Sequence, residues 1–388
     1  MPDLEFEMGG PAYRLMQRIG IIEGAGPSVG RRSLAFILVT WVPLFLLSLW
    51  QGTAIGATPR ASLLLDFATY ARLFIAVPLI FAAESLAGPR LRAAGLRFIE
   101  GGLVRPESHA DFHGAVARVR RRRESWSPEL IFLVFAAFGA WFLSLERLTG
   151  IGDREANWAG NAAGLLPAGL WYQFVVVPLI QFFVLRWVWR WIIWSLFLWD
   201  VSRLRLDLMV THTDMSAGIG FLGLAHVAMS IFPFAVGTVL AAELAFRVVF
   251  EGLTLRDLQG LLPLLAGYIL FVEALIFGPL LIFAPVMAEA RRDGLRSYGV
   301  LVQRHNQAFH DKWIKGEGAQ EPPLGNPDMS SLVDLGSSYL VIREMNIIPV
   351  SRRQMMQVAA VACLPGVPLL FLALPVMDVI RLLLGVVV

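Results

Sequence analysis

The sequence predicts an all-α protein, a polytopic transmembrane helical bundle of about seven spans with helical cytoplasmic loops. Three observations predict it. Hydrophobic residues make up 56% of the chain and charged residues 16%, against roughly 45–50% and about 25% in soluble domains. The excess is blocked into apolar runs of about 20 residues or more, the length that crosses a bilayer. Arginine is concentrated in alternate connections between those runs, the asymmetry that orients membrane proteins.

Residues 1–33 are mostly polar and read as a cytoplasmic N-terminal segment, not a signal peptide. Residues 34–88 read as a transmembrane hairpin, with spans at Leu34–Gly52 and Tyr70–Ala87. Residues 89–128 form a basic loop with nine arginines, including Arg120, Arg121, Arg122 and Arg123. Residues 129–287 hold four spans: Glu129–Leu148, Leu165–Trp187, Ile219–Phe246 and Leu262–Met287. Residues 288–356 form a second polar region with seven arginines and both lysines, Lys312 and Lys315. Within it a helix starts at a capping Asp328, with Leu332, Leu335, Tyr339 and Ile342 on one face, an amphipathic pattern. Residues 357–388 hold a last span, Gln357–Leu374, and a tail. Only Arg154 lies in the Thr149–Gly164 connection. The positive-inside rule therefore puts the N-terminus and both basic regions in the cytoplasm and the C-terminus outside.

The net charge of +3 does not indicate nucleic acid, because the arginines sit where topology alone explains them. The expected partners are the lipid bilayer, anionic lipid near Arg120–Arg123, and further copies of the chain; no cofactor is expected. The single cysteine, Cys363, excludes an intrachain disulfide, and no Cys/His zinc spacing occurs.

The stretch THTDMSAGIGFLG, Thr211–Gly223, carries the G-x-G-x-x-G pattern of a dinucleotide-binding turn at Gly218, Gly220 and Gly223. That fold needs a strand before the glycines and a soluble helix after them. Here a span follows, so the expected roles are a helix cap at Asp214 (or Thr213) and close helix packing at the three glycines. An anion held at the helix N-terminus is the sharper alternative.

The fourth apolar run continues to Trp199 and places Arg186 and Arg190 four residues apart among five tryptophans. This pattern predicts an aromatic belt with snorkelling arginines, or a charge pair with a buried carboxylate. Glu273, near the middle of the sixth span, is the carboxylate expected to work, since an ionisable group at mid-depth is costly and usually functional. Arg186 is its expected partner. The competing reading bonds a protonated Glu273 to Thr238 or Ser230. Glu243 reads as a local pair with Arg247, and Glu84 reaches the interface.

Proline punctuates the even-numbered spans at Pro78, Pro178, Pro279 and Pro285. Matches after Pro78 and after Pro279 suggest parallel repeats of spans one to three and five to seven. His109, His113, His305 and His310 are weak metal candidates, since no HExxH-type motif accompanies them.

THTDMSAGIGFLG and LGNPDMSSLVDLGSSYLVIREMNIIP together resemble an uncharacterised family of bacterial multi-pass inner-membrane proteins. The resemblance covers about a tenth of the chain and implies a bacterial inner membrane, with no activity or site residues attached. The functional expectation is a channel or transporter for a small ion or solute; the alternative is a membrane-embedded assembly or sensing protein. No catalytic constellation stands out, so an enzyme is not expected.

Overall fold

Proline shapes the long helices. Pro78 and Pro178 each lack an N–H, and each ring collides with the carbonyl four residues back. The chain answers both in the same way, widening into a π turn just before the proline, at Ala71–Ala76 and at Tyr172–Val176. Pro279 instead sits in a tightened 3-10 stretch, Gly278–Phe283. The local geometry therefore matches the second and fourth expected spans, whereas the sequence likeness paired the second with the sixth.

The computed structural model describes residues 4–6, 9–22, 28–142, 157–161, 164–316, 321–322 and 324–373. The helices are α1 (Pro11–Arg18), α2 (Val29–Gln51), α3 (Phe67–Glu100), α4 (His109–Arg123), α5 (Trp126–Phe142) and α6 (Pro167–Ser202). After them come α7 (Phe221–Phe250), α8 (Leu255–Gly260), α9 (Leu262–Ile314), α10 (Pro327–Glu344), α11 (Arg352–Cys363) and α12 (Val367–Ala373). A two-stranded antiparallel pair, Gly160–Asn161 with Gly164–Leu165, precedes α6.

Five helices, α2, α3, α6, α7 and α9, are long and apolar enough to cross a membrane. The third and seventh expected spans overlap α5 and α11–α12; residues 143–148, 374 and the tail lie outside the described residues. Large apolar side chains face outward on these helices, among them Leu130, Ile131, Phe135 and Phe138 of α5 and Leu264, Leu270 and Phe271 of α9. In water such a surface would be an aggregation liability; in hydrocarbon it is the required one.

Several helices outrun their expected limits. α3 has 34 residues, α6 has 36 and α9 has 53. At 1.5 Å per residue α9 alone is about 80 Å long, against a hydrocarbon core of about 30 Å. Its far half is backed by α10. Tyr339 of α10 packs at Gly299, Ile342 packs at Gly294, and Arg291 donates to the Ile342 and Arg343 carbonyls. Of the expected apolar face, Tyr339 and Ile342 thus lie against a helix. The N-cap of α10 is Asn326, whose side chain accepts from the Asp328 N–H. The expected capping Asp328 instead accepts from Lys312 Nζ at 2.7 Å, because Pro327 fills the first helical position.

Two apolar cores result. The larger gathers Leu4, Phe6, Phe98, Phe112, Trp194, Phe197 and Phe283 at the end of the bundle where α3 and α6 finish and α5 begins, here the basic end. The smaller fills the space between α2, α3 and α6 with Phe36, Leu44, Leu73, Val77, Phe81 and Val176. Inside the larger core His226, fully buried, ties three helices. Trp194 Nε1 of α6 donates to His226 Nε2 at 2.8 Å, so the ring proton sits on Nδ1, which donates to the Ile276 carbonyl of α9 at 2.6 Å.

Candidate functional site

The charged residues that matter most lie between the two cores. Arg32 opens α2, Glu84 lies midway along α3, Arg190 lies past the middle of α6 toward its basic end, and Arg186 stands one turn before Arg190. All four are buried, with relative exposures of 2% for Arg32, 2% for Arg186, 7% for Arg190 and 9% for Glu84. Glu84 accepts from Arg32 Nη1 and pairs with Arg190 Nη1 at 3.0 Å and Arg186 Nη1 at 3.7 Å. Arg186 Nε also reaches Glu129 Oε1 of α5 at 3.3 Å, and Arg186 Nη2 donates to the Gly9 carbonyl at 3.2 Å. Glu129 in turn accepts from the Ala12 N–H at 2.6 Å. One network therefore joins α2, α3, α5, α6 and the N-terminal segment. A cavity of about 20 Å³ adjoins it, lined by Phe6, Glu84, Trp187, Arg190 and Trp191 among others; that is room for about one water molecule.

This geometry corrects three expectations. Arg186 and Arg190 do not snorkel: their helix continues to Ser202, so they are well inside it and need an internal counter-charge. That counter-charge is Glu84, which is itself buried inside the bundle and not exposed at its surface. Glu273 is not the partner of Arg186, whose acceptors are Glu84, Glu129 and the Gly9 carbonyl. Glu273 lies apart on α9, and both its carboxylate oxygens are buried without a hydrogen-bond partner among the described residues. Thr238 is committed to its own helix, donating to the Phe234 carbonyl.

Above the cluster, away from the basic end, comes an aromatic layer. The Phe81 ring meets Phe183 edge-on at 4.8 Å and Phe36 at 6.3 Å, and Phe36 meets Phe183 at 6.1 Å. The Arg32 guanidinium lies 4.4 Å from the Phe81 ring centre, on the side of the charges. Beyond the aromatics a second polar level joins the two π turns: Arg72 Nη1 donates to the Tyr172 hydroxyl at 2.7 Å. Asp66 nearby accepts from Trp158 Nε1 at 2.8 Å. Arg60 pairs with Glu251, and Glu243 pairs with Arg247 at 3.1 Å.

The glycine stretch has a different use. No strand–helix–strand unit surrounds it; among the described residues the only sheet is the short pair before α6. Met215, Ala217 and Gly218 all take positive φ, of 54°, 54° and 90°. Backbone N–H groups thereby converge as they do around a phosphate, but the chain supplies its own anion. The Asp214 carboxylate accepts from Ser216 N at 2.9 Å, Gly218 N at 3.1 Å and Gly220 N at 2.8 Å. The N-cap position of α7 is Gly220, so Asp214 closes the loop ahead of the helix and does not occupy the cap. A Cβ at Gly220 would press on Asp214 itself, at 2.9 Å from Oδ2. Gly223 makes the close approach: a Cβ there would stand 2.6 Å from the Pro349 carbonyl and 2.4 Å from Gln354 Oε1. With Asn346 N donating to the Met215 carbonyl at 2.8 Å, the two stretches that carry the sequence resemblance touch each other. Gly223→Val is expected to lower the melting temperature in detergent, while Gly267→Val, which meets nothing within 4 Å, leaves it unchanged; equal melting of the two would disprove the contact's importance.

Burial raises the Asp214 carboxyl's pKa, but the three backbone N–H bonds and His212 outweigh it and hold it below the ordinary value. A depressed folded pKa stabilises the protein above the unfolded value, about 3.9, and that stability is lost as pH falls through the folded one. The wild type should therefore melt higher than Asp214→Asn at pH 7, with the gap closing only below about pH 4. A gap that is constant with pH would show that the charge contributes nothing.

The histidines go separate ways. His109 Nε2 meets the Val104 carbonyl at 3.2 Å and His305 Nε2 meets the Ser331 hydroxyl at 3.3 Å. Among the described residues no three His, Cys, Asp or Glu side chains gather as a metal site, so His109, His113, His305 and His310 are not brought together. No family model, no curated protein and no solved structure matches the chain.

Proposed function

We propose that this chain is an integral membrane channel or carrier for a small ion or solute, with its pathway between α2, α3 and α6. One observation carries the reading: two polar levels separated by an aromatic layer, with the charge cluster and the aromatics joining all three helices and the Arg72–Tyr172 level joining α3 and α6. Arg72 and Glu84 are twelve residues apart on α3, or about 18 Å. A hydrocarbon core is about 30 Å thick, so a crossing helix cannot keep both levels outside it. Ionisable groups at such depth mark pathways, and aromatic constrictions between wetter levels act as gates. The π turns add support, since such bulges gather at functional sites.

In this reading the basic end is cytoplasmic and the membrane is a bacterial inner membrane. Anionic lipid would meet Arg120 and Arg121, which are exposed. Arg122 pairs with Asp200 at 3.6 Å and Arg123 with Glu124 at 3.1 Å, so those two are less available than the sequence suggests. The assembly alternative draws support from the long α9–α10 hairpin, which leaves Val300, Leu301, Val333 and Leu340 exposed.

The test is flux from liposomes loaded with proton-, alkali-cation- and halide-sensitive dyes. Wild-type flux of at least one species, lowered by Arg190→Gln and unchanged by Leu301→Gln, supports the pathway. A Glu273→Gln arm separates the two carboxylates: if it alone lowers flux, the pathway passes α9 instead. Protein that folds and conducts none of the three species sinks the transport reading and favours assembly.

A further inference from the structure

The first described residues of the chain have no regular structure, yet they are among the most buried. Leu4 is 0% exposed and Phe6 is 1% exposed. Phe6 stands edge-on to Trp194 at 4.9 Å and against Phe197 at 5.6 Å. Leu4 occupies the space that a side chain at position 95 would fill: a Cβ on Gly95 would lie 2.2 Å from Leu4 Cδ2. Both sockets lie on the basic-end side of the charge cluster. Gly95 is eleven residues beyond Glu84 on α3, and Trp194 and Phe197 are four and seven residues beyond Arg190 on α6. At 1.5 Å per residue those offsets are about 16 Å, about 6 Å and about 10 Å. The segment therefore lies between the cluster and the end where these helices emerge, and Phe6 is itself a wall of the cavity beside Glu84 and Arg190.

Polar contacts complete its attachment. Arg123 Nη1 donates to the Glu5 carbonyl at 2.7 Å, Arg186 Nη2 to the Gly9 carbonyl at 3.2 Å, and the Ala12 N–H to Glu129 at 2.6 Å. Gly9 and Gly10 take φ of 123° and 87°, conformations open to glycine and rare in other residues, just before α1. The sequence thus provides an apolar anchor, a glycine hinge and a helix, in that order. The same Arg186 that meets Glu84 holds the hinge, so the position of the segment and the state of the cluster are coupled through one guanidinium.

We infer that the N-terminal segment is a removable plug: Leu4 and Phe6 seat in the basic-end mouth of the α3–α6 crevice and close the Glu84 cluster from that side. As a regulator of flux the plug rests on the pathway proposed above; as a closure of the cavity it stands on the contacts alone. Leaving, it turns about Gly9–Gly10, frees Arg186 Nη2 and opens the cavity wall that Phe6 makes.

The test uses the full-length protein in a Cys363→Ser background with an impermeant maleimide applied to the basic end. Leu4→Cys puts the probe on the plug, and Ala87→Cys puts it in the cavity beneath. Leu73→Cys, in the apolar core beyond the aromatic layer, is the control. A single opening exposes the first two together, so they should label at one shared rate, with the control slower. Phe6→Ser should raise both rates about tenfold, by favouring the open form, and leave the control unchanged. If Phe6→Ser fails to fold, the shared rate in the single-cysteine proteins still decides. Position 87 labelling independently of position 4, neither labelling, or the control rising with them would each overturn the plug. Labelling as expected with no flux of any probe ion upholds the plug and removes the pathway.

Discussion

Glu84→Ala should give a protein that inserts but does not hold its bundle together at the basic end. Removing one partner from a buried ion pair leaves uncompensated charge and costs about 3–5 kcal/mol. Here one carboxylate is shared by Arg32, Arg186 and Arg190, all under a tenth exposed. Arg186 retains Glu129, so its own pairing is reduced and not lost. The measurable outcomes are a large drop in melting temperature in detergent and a loss of monodispersity. Glu84→Gln should fall between, since the amide keeps the shape and part of the hydrogen bonding. The decisive comparison is a double-mutant cycle. Arg190→Gln alone leaves Glu84 with two arginines and should cost less, and the two substitutions together should cost less than their sum, because they remove the two ends of one contact. If the two substitutions simply add, the residues do not act as a unit and the cluster has been misread.

The bundle could be read from the sequence because hydrophobic blocks and arginine asymmetry are properties of single segments. Leu34–Gly52 and Leu262–Met287 needed nothing beyond their own composition. The ends of α3, α6 and α9 could not be read in the same way. These helices carry on through residues polar enough to end a span, and only packing against other helices keeps them helical, as α10 does for α9. The charge cluster was half visible. Arg186 and Arg190 were conspicuous among the tryptophans, while Glu84 looked ordinary because its neighbours in sequence say nothing of three arginines arriving from two other helices. A signal did exist: Arg32, Glu84, Glu129 and Arg186 all lie toward the same end of their respective spans, so topology alone stacks them at one level. The N-terminal plug left no such signal. Leu4 and Phe6 are two apolar residues in a polar stretch, without period, and their sockets are made by Gly95, Trp194 and Phe197 far along the chain. The glycine loop shows the converse, a motif clear in sequence whose phosphate place is taken by Asp214.

Phe81→Ala should both weaken the fold and open the layer between the two polar levels. Phe81 is 1% exposed and touches Phe36 and Phe183. Truncating a buried phenylalanine costs about 3–5 kcal/mol, the higher figure where the surroundings cannot collapse. Collapse is restrained here, since α2, α3 and α6 are pinned at the Glu84 cluster on one side and α3 and α6 by Arg72–Tyr172 on the other. The void would therefore persist, with charge at its basic end and a hydroxyl and a guanidinium beyond its far end. A wholly apolar cavity of this kind stays dry, but one that shortens the apolar gap between wetter levels loses the barrier that dewetting provides. The expected result is a lower melting temperature together with a raised, poorly selective flux in liposomes. Phe81→Leu should recover most of the stability and most of the seal. Phe138→Ala, on the outward face of α5 and 62% exposed, should change neither. The two readouts separate packing from gating: if Phe81→Ala melts lower yet its flux equals that of the wild type, the aromatic layer only fills space and the pathway does not run through it.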